Sequence, residues 1–304
     1  MHDYVIVLMN GHHAPPLSAG RVHDLYFGLA PQMCRSEVRW LGAGEAAELP
    51  LRVEEPVVAE GIADAIAAEL AAQPIDSALL PAANRRKLLL VADMESTIVA
   101  EECLDELAAE AGIGPQIAAI TARAMRGEID FEPALRERVA LLQGMPLDSL
   151  SRLLNRLTVL PGARTLVATM RAHGAYTALV SGGFSFFTEI VALRVGFDID
   201  HGNQLGMKNG VLDGTIVGPI LGRQQKADHL ARLAGEGGLT VSDAIAVGDG
   251  ANDIAMVQLA GLGVAYRGKP LLAGVADAVL RHADLTALLY LQGYKRGDFA
   301  TAVG

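Results

Sequence analysis

The sequence predicts an α/β protein in two parts. A small ferredoxin-like α+β unit precedes a Rossmann-like parallel sheet that carries an inserted helical cap. Three observations lead there. The first eighty or so residues alternate in the order β-α-β-β-α-β. The run Leu88-Leu89-Leu90-Val91-Ala92 is continuously apolar, as suits a strand buried on both faces. Beyond Pro161-Gly162, strands and helices alternate, which argues for a parallel sheet with crossover helices. A length of 304 residues agrees with two domains at ~150 residues each, and we place them at 1–82 and 83–304.

In the first unit, Tyr4–Met9 reads as a strand, and Ser18 as the cap of a helix running to Leu29. Glu37–Leu41 and Glu48–Val53 read as short strands around the turn-forming Gly42-Ala43-Gly44. Val57–Ala72 has helical spacing, and Ile75–Leu80 closes the unit as a strand. Pro81 to Lys87 reads as a linker whose basic patch, Arg85-Arg86-Lys87, is expected to be a solvated strand entry. After the central strand, residues 101–157 are helical in pattern, broken at Gly112–Gly114, Gly127 and Gly144–Pro146. Such an insertion would lie over the carboxyl edge of the sheet, where open α/β folds bind ligands. Then follow a helix at Thr165–His173, a strand at Tyr176–Val180 and a hairpin at Gly202–Val217. A helix at Gln224–Ala234, a strand at Ala244–Val247, a helix at Asp253–Ala260 and a strand at Leu262–Ala265 come next, before a strand at Ala276–Leu280 and a helix at Leu285–Leu291.

Composition narrows the function. Thirty-five acidic against 25 basic residues give a formal net charge of -10, which repels phosphate backbones and argues against nucleic-acid partners. Two cysteines, Cys34 and Cys103, exclude a disulfide framework and a four-cysteine zinc site. The first residues lack the basic leader and apolar core of a secretion signal, and no apolar stretch approaches the ~20 residues that span a bilayer. The expectation is a cytoplasmic protein with no membrane partner.

Polar residues follow each apolar strand. Asp93-Met94-Glu95-Ser96-Thr97 puts a carboxylate at a strand tip ahead of exposed N–H groups, fit for nucleophilic attack on an electrophile held there; alone, it also reads as a helix N-cap. Ser181-Gly182-Gly183-Phe184 offers a hydroxyl and unshielded amides as an anion cradle, or simply a turn. Lys226, taken alone, reads as a surface lysine. Gly248-Asp249-Gly250-Ala251-Asn252-Asp253 sets two carboxylates four apart around a strand-to-helix turn, hard oxygen donors that suit Mg²⁺. The histidines show no ligand spacing, and His12-His13 reads as a solvated loop; Cys103 reads as a buried inert thiol.

Taken in order, these motifs resemble the haloacid dehalogenase superfamily, and within it the bacterial two-domain phosphoserine phosphatases. The resemblance covers residues 85–295, and the N-terminal unit looks like that family's small ACT-like domain. It implies Mg²⁺-dependent hydrolysis of O-phospho-L-serine, the closing step of serine synthesis in that family. Asp93 would take the phosphoryl group, and Mg²⁺ would sit among Asp93, the Glu95 carbonyl and Asp249, with Asp253 in or just behind the shell. Ser181, the Gly182 amide, Lys226 and Asn252 would hold or line the phosphate. In the cap, Glu102 would meet the substrate ammonium and Arg138 its carboxylate, a bidentate role that suits a guanidinium. Met125 and Phe131 would exclude water. Without the resemblance, Glu102 and Arg138 read as a helix-surface ion pair.

One residue departs from the pattern. The acid–base position is usually Asp, and here it is Glu95, whose extra methylene displaces the carboxyl by roughly 1.5 Å. An uncompensated shift of that size costs on the order of 10²-fold in rate. The expectation is retained chemistry, because the other site residues are present. The alternatives are a phosphatase or phosphotransferase for another small ester, or a catalytically weak phospho-amino-acid sensor. The N-terminal unit stands open between ligand binding, homodimer formation and neither.

Overall fold

The computed structural model describes residues 1–29 and 37–301, leaving aside the side chains of Leu29 and Met125. Cys34 therefore lies outside the described residues. Strands β1 (His2–Asn10), β2 (Arg39–Gly42), β3 (Ala46–Val53) and β4 (Ile75–Pro81) form an antiparallel sheet in the order β2-β3-β1-β4, with helices α1 (Ala19–Leu29) and α2 (Pro56–Leu70) between them in sequence. Ser18 caps α1, its Oγ accepting the Arg21 N–H at 3.2 Å. The second strand starts later than its pattern suggests and the third earlier, so the turn is Ala43–Glu45.

Both faces of this sheet are covered. Ile6, Leu8, Leu49 and Leu51 pack against Tyr26, Ile66 and Leu70 of the helices. Val5, Val7, Met9, Ala78 and Leu80 turn the other way, onto Leu288, Tyr290 and Leu291. Two buried carboxylates fasten the contact. Asp76 accepts the N–H groups of Arg281, His282 and Ala283 at 3.0, 2.9 and 2.9 Å. Glu48 pairs with Arg85, whose guanidinium also donates to the carbonyls of Leu291 and Tyr290. The solvated reading of the basic patch thus holds for Arg86 but not for Arg85 and Lys87. Arg85 is half-buried with its guanidinium turned inward, Lys87 is buried and donates to the Ser242 carbonyl at 2.7 Å, and Arg86 stays exposed, stacked on Tyr294. Buried acceptors lying far away in sequence draw Arg85 and Lys87 inward. His12 and His13 lie exposed in a turn, as expected, and His12 Nδ1 stands 2.9 Å from Asp284 Oδ2.

The second sheet has seven strands: β5 (Leu89–Ala92), β6 (Tyr176–Phe184), β7 (Ile199–Lys208), β8 (Val211–Val217), β9 (Ala244–Gly248), β10 (Leu262–Tyr266) and β11 (Ala278–Leu280). Their order is β11-β10-β9-β5-β6-β7-β8, parallel except for the β7–β8 hairpin. β5 is central and completely buried, which explains its uninterrupted apolar sequence. The chain passes to β6 on one side and to β9 on the other, so the topological switch point, and with it the ligand crevice, falls at the end of β5. Helices α7 (Ala163–Ala172), α8 (Ser185–Val195), α9 (Arg223–Glu236), α10 (Ile254–Leu259), α11 (Pro270–Ala273) and α12 (Ala287–Leu291) complete the core. The sequence pattern gave no extent for α8, since Ser185-Phe186-Phe187-Thr188-Glu189-Ile190-Val191-Ala192-Leu193-Arg194-Val195 is apolar around its circumference and lacks a periodic stripe. The helix expected from Asp253 opens with a 3-10 turn, Ala251–Asp253.

The inserted cap comprises α3 (Cys103–Glu110), α4 (Gly114–Met125), α5 (Phe131–Ala140) and α6 (Leu147–Arg156). Its two connections are laced together where Ala100 N donates to Thr158 O at 3.0 Å and Leu160 N to Ile98 O at 2.9 Å. The cap also joins the hairpin, Gly144 N to Leu212 O at 2.8 Å and Leu212 N to Met145 O at 2.9 Å. No helix among the described residues is long and apolar enough to cross a membrane.

Candidate active site

Ala92 is in register with Val247 and Leu179, so Asp93 emerges at the carboxyl edge between β9 and β6. It is 4% exposed. Its Oδ1 accepts the Met94 N–H at 2.8 Å and lies 2.7 Å from Lys226 Nζ, and its Oδ2 faces Asn252 Nδ2 at 3.4 Å. Lys226, far from being a surface residue, is fully buried on α9 and also reaches Asp253 Oδ1 at 2.6 Å. Burial, and then the charge of Asp253, push the Asp93 carboxyl up against the pull of Lys226. Burial opposes charge on Lys226, but the two carboxylates outweigh it and hold the ammonium above its ordinary range.

Asp253 stands behind this pair. Its Oδ2 accepts the N–H groups of Asp249 and Gly250 at 3.1 and 3.0 Å. Gly248 makes room for it, since a Cβ there would stand 2.3 Å from Asp253 Cγ. Asp93, Asp249 and Asp253 each offer an oxygen within 4.8 Å of the others, and all three are buried. Three carboxylates against one buried ammonium leave an excess of negative charge, and hard oxygen donors in that number fit a divalent cation.

On the β6 side, Ser181 Oγ accepts the Gly183 N–H at 3.0 Å, and the Gly182 carbonyl is fixed by Asn203 Nδ2 at 2.8 Å. On the cap side, Ser96 Oγ donates to Glu102 Oε1 at 2.8 Å from a left-handed backbone, φ 55°, rare for a non-glycine residue. Burial raises the Glu102 carboxyl and Ser96 partly offsets it. Burial lowers Arg138, against the nearby charges of Asp105, Glu95 and Glu102. Neither residue is spent on an ion pair with the other: Arg138 Nε donates to the Ala134 carbonyl.

These groups surround a cavity of about 360 Å³. The core contributes Asp93, Glu95, Ser181, Gly182, Asp249 and Asn252, and the cap contributes Glu102, Phe131 and Arg138. Lys226 and Asp253 act from behind its wall, and the Met125 side chain lies outside the described residues. Residues missed in the sequence also line it: Leu104, Asp105, Thr121, Leu135 and Lys269. Lys269 lies 3.1 Å from Asp249 Oδ2, and its N–H donates to the Asp249 carbonyl at 2.8 Å. Its one signal was a basic residue just past the tip of β10, ahead of Pro270. Cys103 is a buried thiol pushed far up by burial.

Glu95 Oε1 accepts the Cys103 N–H at 2.7 Å. Burial, then the neighbouring charge of Glu102, push its carboxyl up to about 7. The folded metal-free protein therefore holds an extra proton there between about pH 4.5 and 7, and its stability falls as pH rises through that window. Glu95→Gln removes the penalty. Its melting temperature should match that of the parent near pH 4.5 and exceed it by about 4 °C at pH 8, a gain of about 1–2 kcal/mol after allowance for partial exposure. A pH-independent difference in thermal melts would contradict the assignment.

A strand-tip aspartate backed by a buried lysine, beside two further aspartates and under a helical lid, is a hydrolase architecture. The chain belongs to the haloacid dehalogenase-like hydrolases, whose family model matches residues 90–258. More particularly, it is 40% identical over 248 residues to a phosphoserine phosphatase of Archaeoglobus fulgidus, across 82% of this chain and 69% of that protein. It is 39% identical over 291 residues to a phosphoserine phosphatase of Mycobacterium tuberculosis, across 94% of this chain and 71% of the relative. A haloacid dehalogenase family hydrolase of Salmonella enterica serovar Typhi superposes with a TM-score of 0.82 at 28% identity, covering 95% of this chain and 98% of its own.

Proposed function

We propose that this protein hydrolyses O-phospho-L-serine to L-serine and phosphate through a phosphorylated Asp93. The observation that carries the reading is a buried carboxylate at the switch point of the sheet, 2.7 Å from a buried ammonium, under a cap that presents both an acid and a guanidinium. Asp93 attacks phosphorus as the bond to the serine oxygen breaks, and that oxygen takes a proton from Glu95. Water then attacks the aspartyl phosphate, giving its proton to Glu95, and the Asp93 carboxylate is restored. Ser181, the Gly182 amide and Lys226 hold phosphate oxygens, with Asn252 beside them. Asp93, Asp249 and the Glu95 carbonyl would hold Mg²⁺, with Asp253 behind, and the bound cation supplies neutralisation of charge on the phosphate oxygens.

Glu102 meets the substrate ammonium, Arg138 its carboxylate, and Phe131 excludes water. A charge-assisted contact of this kind contributes about 1.5–3 kcal/mol. Arg138→Ala should therefore lower kcat/KM for phosphoserine by about 10–100-fold, and for p-nitrophenyl phosphate by less than about 3-fold. Equal losses on both substrates would contradict the role. We assign residues 1–82 to a ferredoxin-like, ACT-like module for ligand binding or homodimer formation, and 83–304 to the catalytic domain of a cytoplasmic enzyme. The test of function is steady-state phosphate release from phosphoserine with and without Mg²⁺. Release that needs the cation and exceeds that from generic phosphate esters is expected. No preference for phosphoserine would overturn the substrate, and tight binding without turnover would make the protein a sensor.

A further inference from the structure

Glu95 is lodged where a shorter carboxylate would not reach. Its Oε1 accepts the N–H of Cys103 at 2.7 Å, and Cys103 is the first residue of α3. A side chain of the core therefore satisfies an otherwise free N–H at the start of a cap helix, where negative charge is favoured. The carboxyl also rests on Gly183, where a Cβ would stand 2.9 Å from Glu95 Oε2 and 3.1 Å from Cδ. Gly183 lies within β6 and is not among the glycines with positive φ. It is the close approach of Glu95, not the backbone conformation, that calls for glycine. With Asp in place of Glu, the carboxyl would fall back by roughly 1.5 Å, stretching the contact to Cys103 beyond hydrogen-bond range and clearing Gly183.

We propose that Gly183 and the Cys103 N–H are the positioning groups that set the Glu95 carboxylate, compensating for its extra methylene and tying its place to the cap. The proposal rests on the hydrolysis argued above for its kinetic consequences, and on geometry alone for its structural ones. Gly183→Ala should lower kcat for phosphoserine by on the order of 10²-fold, because a carboxyl pushed aside by about an ångström loses its proton-transfer geometry, while KM stays within about threefold. In the Glu95→Asp background the same substitution should cost less than about fivefold, because the carboxyl no longer lies on residue 183. A glycine needed only for the strand would cost the same in both backgrounds, and that result overturns the proposal.

A second comparison does not depend on how well Gly183→Ala folds. Cys103→Pro deletes the N–H at a position where proline suits a helix start, and Glu102, at φ -97° and ψ 101°, has the extended backbone that precedes proline. Its kcat should lie at least about tenfold below that of Cys103→Ala, which keeps the donor. Equal values count against the positioning. A third readout needs no activity. In the metal-free protein, hydrogen exchange at the Cys103 amide should be at least about tenfold faster in Glu95→Asp than in the parent. Unchanged exchange would overturn the lodging itself, whereas protected exchange in a protein without turnover would leave the lodging standing and defeat the reading of function.

Discussion

Asp93→Asn is expected to lower phosphoserine turnover by on the order of 10⁴-fold or more while leaving the fold intact. The amide has the shape of the carboxylate but no nucleophilic oxygen, so no acyl phosphate can form. Folding is spared because Lys226 keeps Asp253 at 2.6 Å as its counter-charge. Asn also removes a buried carboxylate that burial and Asp253 push towards its neutral form. The melting temperature of the metal-free variant should accordingly equal or exceed that of the parent. Phosphate release and thermal unfolding, measured on one preparation, check both halves. Undiminished turnover would place the nucleophile elsewhere.

Lys226→Met should damage both activity and stability. The ammonium is fully buried between Asp93 and Asp253, at 2.7 and 2.6 Å. Its loss leaves two buried carboxylates facing each other without a counter-charge. Breaking a buried ion pair from one side costs about 3–5 kcal/mol, which for a chain of this size lowers the melting temperature by about 10 °C. Turnover should fall by on the order of 10³-fold, through loss of charge on the phosphate oxygens. The two effects separate on adding Mg²⁺. A cation bound by the aspartates stabilises the folded form, by about 2.7 kcal/mol at a hundredfold excess over its Kd, and should restore part of the melting temperature but little of the activity. Normal stability in Lys226→Met would contradict the buried triad.

What could be read beforehand depended on how local the cause was. The strand Leu89–Ala92 is buried on both faces, and its sequence says so without help from the rest of the chain. Asp93, Ser181 and Asp249 were found because each follows an apolar run, and a parallel sheet brings such tips to one edge. The cap was legible because its glycines fall where its helices break. Contacts across long sequence separations were not legible. Nothing near Arg85 announces Glu48, or the carbonyls two hundred residues later that take it out of water. Lys269 looked like any lysine until β10 brought it 3.1 Å from Asp249. Glu95 was the instructive case: its extra methylene was visible in the sequence, but its compensation depends on Cys103 and Gly183, which come together only when the cap closes over the sheet.

Turnover requires phosphorus to pass through Asp93. The most direct measurement is acid quenching during steady-state turnover of phosphoserine with Mg²⁺, followed by peptide mass spectrometry. The prediction is one acid-stable, hydroxylamine-labile phosphoryl group on the peptide holding Asp93, absent in Asp93→Asn. Phosphate release proceeding at full rate with that peptide unmodified, or with the phosphoryl group on another residue, would contradict it.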